Sequence, residues 1–157
     1  MKNLFFLIIM GFLTVSCADK EIDCCVNIDT GISVKYLNEK GQNLFELGSE
    51  GYEESEINVY HKVNGQWVAY YRHNLDDPKG IRLDEREDGT YLVIFPSTEI
   101  VERNYSETKI EFSDSDSDII KAEIDQSGPN TVVTRVWYNG VLKWEAYETE
   151  RMFEVLK

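Results

Sequence analysis

The chain reads as an all-β protein, an antiparallel β-sandwich of roughly immunoglobulin-like form, on three observations. Its apolar stretches are short and rich in β-branched and aromatic residues. They alternate with polar residues at a period of two, and helical spacing is hard to find. Gly, Asn, Asp or Pro interrupts them at roughly eight- to twelve-residue intervals, the rhythm of hairpin-connected strands. A single domain of residues 30–157 with about eight or nine short strands follows.

The elements can be justified in order. Ile32, Val34 and Tyr36 alternate with Ser33 and Lys35 and then meet Asn38-Glu39-Lys40-Gly41, a strand closed by a turn. Residues 42–47 are ambiguous, and residues 48–56 form an acidic loop. Residues 56–63 and 66–72 flank Asn64-Gly65. Asn-Gly supplies the positive φ angles of a type I′ turn, whose twist matches that of paired strands, so this is a hairpin. Residues 74–80, which include Asp76-Asp77-Pro78, are a loop, and Ile81-Arg82-Leu83 is a short strand before the polar turn of residues 84–89. Residues 90–95 are apolar on both faces, which places them in the middle of a sheet until Pro96 removes a ladder donor.

Ile110 and Phe112 resume the alternation, and the polar run 113–118 opens a strand over residues 119–124. After Gly128-Pro129-Asn130, residues 131–138 and 141–144 flank Asn139-Gly140, a second hairpin on the same turn chemistry. Residues 149–155 close an edge.

Ahead of the domain, Lys2 precedes the apolar run 4–13, too short to remain in a bilayer as a spanning helix, and Ser16 stands before Cys17. Leu13-Thr14-Val15-Ser16-Cys17 resembles the lipobox of bacterial lipoproteins, with the usual Leu one position early at Leu13. The resemblance implies that residues 1–16 are a signal peptide removed by signal peptidase II, and that Cys17 carries diacylglyceryl and N-acyl chains. Several chains make a durable anchor where one gives marginal attachment, at about 0.8 kcal/mol per buried methylene. Residues 17–29 then form a lipidated, charged tether. Within it, Ala18-Asp19-Lys20-Glu21-Ile22-Asp23 resembles the Lys-plus-acidic export signal of lipoproteins in the Bacteroidetes group, which implies the outer face of the bacterial outer membrane.

Within the domain, the segment from Gly41 to Phe45, the strand 57–63, Asp118-Ile119-Ile120 and Trp137-Tyr138-Asn139-Gly140 together resemble small uncharacterised surface lipoproteins of the Bacteroidetes type. That resemblance, over residues 30 to 145, implies a β-sandwich and a surface location. It implies no activity and carries over no catalytic residue.

Charge narrows the partners. With 29 acidic against 16 basic side chains the formal net charge is −13, and a surface of that sign repels phosphate backbones, so no nucleic acid is expected. Cys24 and Cys25 are adjacent, a strained geometry for a bridge, and no third thiol lies in the domain to staple the core. They read as free or buried thiols, and stability must come from packing.

Asp114, Asp116 and Asp118 stand at alternate positions like the first ligands of a calcium loop. Position 6 is Ile119 where the loop needs Gly, and position 12 is Asp125 where it needs Glu, so an EF-hand is rejected. The three acids are weak metal candidates on a strand-opening turn, and no cofactor is expected. The two histidines are His61 and His73, and no nucleophile elbow, His-Glu-x-x-His helix or phosphate loop occurs, so the expectation is not an enzyme. His61 falls on the Ile57, Val59 and Val63 face, where a packed or edge histidine is expected. Acidic pairs such as Glu53-Glu54 and Asp84-Glu85 read as charged loops.

The aromatics are the remaining signal. Neighbours on a strand point to opposite faces, so one of Tyr70 and Tyr71, and one of Trp137 and Tyr138, faces outward. With Trp144 these are the candidate ligand contacts, although cross-strand packing is their plainer role. The expected function is a non-enzymatic binding or assembly module, anchored to the outer membrane through Cys17, with a protein or glycan partner. The alternative is a carbohydrate-binding accessory lipoprotein that stacks exposed Trp or Tyr on sugar rings.

Overall fold

The computed structural model describes residues 26–157. The signal peptide, Cys17, Cys24 and Cys25 lie outside the described residues. Eleven strands run in chain order: β1 (Ile28–Asp29), β2 (Ile32–Leu37), β3 (Asn58–Val63), β4 (Gln66–Ala69), β5 (Ile81–Arg86), β6 (Gly89–Ile94), β7 (Tyr105–Ser113), β8 (Asp116–Asp125), β9 (Thr131–Tyr138), β10 (Val141–Glu145) and β11 (Met152–Leu156). They form a seven-stranded sheet, ordered β1-β9-β8-β7-β3-β4 with β10 also on β9, and a four-stranded sheet, ordered β11-β2-β6-β5. The all-β, two-sheet expectation holds, and the immunoglobulin comparison extends no further than that plan. No helix among the described residues is long and apolar enough to cross a membrane.

Two expectations need correction. Among the described residues the strands number eleven, not eight or nine, and the sheets are mixed, because β1 pairs β9 in parallel and β11 pairs β2 in parallel. Parallel partners cannot be joined by a tight turn and must meet through a long connection. Here almost the whole domain lies between β2 and β11, so no local pattern announces the pairing.

The core follows the predicted alternation. In β7 and β8 every second residue is buried, which brings Ile110, Ile120, Ala122 and Ile124 against Ile32, Val34 and Tyr36 of β2 and Leu92 and Ile94 of β6. Each fully buried aliphatic side chain stabilises the fold by about 1.5–3 kcal/mol relative to exposure. As expected, β6 is central and apolar on both faces. Its outer residue Tyr91 is covered by Lys35 and Arg86, whose cationic groups lie 5.0 and 4.7 Å from the ring centre. Their stems supply apolar cover while their charges reach water.

The ambiguous stretch 42–47 and the acidic loop after it contain three short 3-10 turns, Leu44–Glu46, Gly48–Glu50 and Glu54–Glu56. Asn43 anchors them by accepting from the Phe45 amide and donating to the Thr90 carbonyl at 2.8 Å. They press Phe45 and Tyr52 onto the end of the core, where Tyr52 stacks on Phe112 at 4.4 Å. Gly51 permits this approach, since a Cβ there would lie 1.9 Å from the Leu44 carbonyl oxygen.

Candidate functional site

The site grows from the first hairpin. Asn64 and Gly65 adopt φ of 50° and 80°, as a type I′ turn requires, and set His61 opposite Val68. Opposed residues share a face, so Val59, His61, Val63, Val68 and Tyr70 all point to the inner side of the larger sheet. Near the centre that side is covered, and Val59 is only 3% exposed. At the β4 edge the smaller sheet no longer covers it, and Val68 is 49% exposed. The uncovered strip forms one wall of an open groove of about 960 Å³.

Gly80, Phe95 and Pro96 form the opposite wall, Tyr71, Arg72 and Leu75 come from the loop after β4, and Ile28 stands at the rim where the chain enters the domain. Gly80 has a φ of +69°, and a Cβ there would meet the Tyr70 ring at 3.0 Å, so glycine is what lets this wall close on Tyr70. The loop is pinned by the Arg72 amide, which donates to the Pro78 carbonyl at 2.7 Å.

His61 stacks on Tyr70 with ring centres 4.1 Å apart. Its Nε2 is buried without a hydrogen-bond partner. Burial, helped by the nearby Arg72 guanidinium, holds its pKa down at about 4, so the ring is neutral at neutral pH. Arg82 pairs with Asp77 at 3.1 Å and lies over Phe95, whereas Arg72 forms no ion pair among the described residues.

Of the five aromatic candidates, the structure brings Tyr70 and Tyr71 together in this groove. It sets the others elsewhere. Tyr138 and Trp144 are 4% and 8% exposed, which corrects the expectation that they contact a ligand. Tyr138 faces the core because Trp137 takes the outer side, as alternation requires. A bulge between Leu142 and Trp144 shifts the register, so Trp144 lies opposite the buried Val136 and turns inward. There its Nε1 donates to the Thr149 carbonyl at 2.9 Å. Trp137 is half-buried, edge-on to Tyr105 and beneath Lys121.

The aspartates also part company. Asp114 is exposed in a tight turn, whereas Asp116 and Asp118 lie within β8, which begins earlier than its polar sequence suggests. Both converge on the Lys157 ammonium. Asp116 also accepts from the Tyr52 hydroxyl, and Asp118 accepts from the Tyr138 hydroxyl and from Asn139 Nδ2 at 2.7 Å. A lysine thus fills the place a cation would take, and among the described residues no three metal-type ligands gather. Burial works to raise the Asp116 pKa, but hydrogen bonds from Lys157 and Tyr52 outweigh it and hold the carboxyl below its usual range. Burial, together with the neighbouring Tyr36 and Asp118, pushes the Tyr138 hydroxyl far above its ordinary value.

Sequence reasoning missed His61 and Arg72 as parts of a site. The usable signal was the pairing itself, since the Asn-Gly register places His61 opposite Val68 on a face shared with Val59, Val63 and Tyr70.

Fold and groove together define a two-sheet all-β protein with an open, mainly apolar cleft at one end. No protein-family model matches the chain, no curated protein is significantly similar to it, and no solved structure matches its fold significantly.

Proposed function

We propose that the protein is a non-enzymatic binding module, held at the outer membrane by lipid on Cys17, that takes its ligand in the groove beside β4. The observation that carries this reading is the set of Val68, Tyr71 and Leu75, 49%, 59% and 48% exposed, which line one groove together with His61. Concave apolar surface with a few polar groups is the usual character of a ligand site, and exposed apolar side chains grouped together mark an interaction surface. A His61 pKa of about 4 makes the ring a weak proton acceptor at neutral pH, which favours binding over general-base chemistry.

The tether supports the location. Ile28 at the groove rim is eleven residues from Cys17, a reach of roughly 36–40 Å when extended. The sugar-stacking alternative has less to stand on. Tyr70 has one face covered by His61 and its edge met by Gly80, Trp137 lies under Lys121, and Tyr71 is left as the exposed ring of the candidate set.

A photo-crosslinking residue at Val68, with one at Val141 on the far edge as control, tests the reading in intact cells. Adducts at position 68 that are absent at 141, together with loss of membrane fractionation in Cys17→Ser, are expected. Equal adducts at both positions would remove the groove from the reading, and a Cys17→Ser protein still in membranes would remove the anchor.

A further inference from the structure

Each sheet ends in strands that expose one row of backbone groups, and these edges are not protected alike. In β5 four of six residues are charged, Arg82, Asp84, Glu85 and Arg86. β11 carries Glu154 at its centre, β10 is bent by the bulge between Leu142 and Trp144, and β1 is only two residues long. Charges, bulges and shortness are the usual devices that keep an edge from recruiting a foreign strand. β4, Gln66-Trp67-Val68-Ala69, ends the larger sheet with no charge, no proline and no register shift against β3.

The register shows which of its backbone groups are free. The Tyr70 amide donates to the Val59 carbonyl at 2.8 Å, which makes Val59 and Tyr70 a hydrogen-bonded pair. Bonded pairs alternate along an antiparallel ladder, so His61 with Val68 and Val63 with Gln66 are the next two. The intervening Trp67 and Ala69 therefore point their amides and carbonyls away from β3, and no hydrogen bond reaches those groups among the described residues. Between them, half-exposed Val68 turns its side chain into the groove.

Outward backbone groups at alternate residues call for an extended backbone, and the apolar wall beside them calls for apolar side chains at every second position. Charge decides between a different protein and a second copy. Three carboxylates, Asp76, Asp77 and Glu99, line the groove against two guanidiniums, Arg72 and Arg82, and the chain as a whole carries −13. Such a surface repels a copy of itself and attracts a basic segment.

Resting on the reading of this groove as the binding site, we propose that β4 is completed by an extended, net basic peptide segment of another protein with apolar side chains at alternate positions. Main-chain hydrogen bonds to Trp67 and Ala69 hold it as a further strand of the larger sheet, about 4.8 Å beyond β4. Its inward side chains enter the groove beside Val68, and its outward ones meet Trp67.

The test uses the full lipidated protein in phosphatidylcholine nanodiscs and a synthetic heptapeptide of alternating lysine and valine. Binding is followed by fluorescence anisotropy and by hydrogen exchange at single amides. In the free protein the Val68 amide, bonded to β3, should exchange more slowly than those of Trp67 and Ala69. Saturating peptide is expected to slow Trp67 and Ala69 at least about tenfold. Methylating every peptide amide removes its donors but keeps its side chains, and should weaken binding at least about tenfold. Ala69→Pro, which takes away a donor that β3 does not use, should do the same, and the methylated peptide carries the test should that variant fold poorly. A glutamate-valine peptide should bind about tenfold more weakly at low salt. A methylated or glutamate peptide that matches the parent, binding that leaves Trp67 and Ala69 unslowed, or no binding at all would overturn the proposal. Slowing of the two amides with rising protein concentration alone would overturn it as well, giving the edge to a second copy. Should strand addition fail while the position 68 crosslinks still form, the groove reading survives. Loss of both would sink the two together.

Discussion

The hydroxyls of Tyr36 and Tyr138 meet 3.1 Å apart across the sandwich, one from each sheet, 102 residues apart in the chain. Tyr138 donates to Asp118, which also pairs with Lys157. Tyr138 has a single proton, so Asp118 takes it and Tyr36 supplies the proton between the two phenols. Tyr138→Phe therefore removes two bonds and leaves a buried carboxylate short of a donor. Urea denaturation is expected to show a loss of about 1–3 kcal/mol, and of about 1 kcal/mol for Tyr36→Phe, which removes one bond. A larger cost for Tyr36→Phe would contradict this assignment of protons.

The two Asn-Gly turns should respond differently to the same substitution. Asn64 and Asn139 have φ of 50° and 47°, so alanine costs each a similar backbone penalty of roughly 1 kcal/mol. Only the Asn139 side chain also accepts from the Ile119 amide at 2.8 Å and donates to Asp118 at 2.7 Å. Asn139→Ala is expected to destabilise by about 1–2 kcal/mol more than Asn64→Ala in the same denaturation assay. Equal losses would show that the turn conformation is all that matters at either site.

Stability should fall on mild acidification. His61 has a pKa of about 4 folded against 6.5 as the ordinary value, with burial the main cause. Between those values the unfolded chain binds a proton that the folded chain refuses, so the contribution is complete above 6.5 and is lost as pH falls toward 4. Asp116, whose pKa is lowered from 3.8, holds its contribution above that value and loses it only at lower pH. Urea midpoints are expected to drop between pH 7 and pH 5, and His61→Phe should flatten that segment. An unchanged slope in the variant would clear His61 of the effect.

Two glycines offer a contrast. Gly51→Ala drives a methyl into the Leu44 carbonyl oxygen and must displace the turn that carries Tyr52, at an expected cost of about 1–3 kcal/mol. Gly128→Ala meets nothing within 4 Å and should stay within about 0.5 kcal/mol of the parent. Thermal melts of the two variants suffice to compare them.

What could be read from the sequence was what short-range chemistry dictates. Both Asn-Gly hairpins, the buried β6 and the alternating β2 follow from turn geometry and period-two patterning, and they stand where expected. The parallel edges β1 and β11 have partners far along the chain, and a two-residue strand such as β1 carries no period at all. Tyr70 and Tyr71 were expected to split between the two faces of a strand, but β4 ends at Ala69 and the loop after it brings both to the same groove. Trp144 was not legible, since a single-residue bulge reverses its side without leaving a mark in the local pattern. Asp116 and Asp118 looked like loop acids because their aqueous neighbours hide a distant lysine that neutralises them.

The parallel pairing of β11 with β2 has a consequence for how the molecule is made. Residues 32–37 leave the ribosome, and pass any export channel, long before residues 152–157. Until those last six arrive, one border of the smaller sheet has open amides and carbonyls, an invitation to foreign strands. Completion must wait for the slow closure of a very large loop. Chains that stall or are clipped near their C-terminus should therefore be the ones that clump, and a holding chaperone is of most use to this protein in that interval.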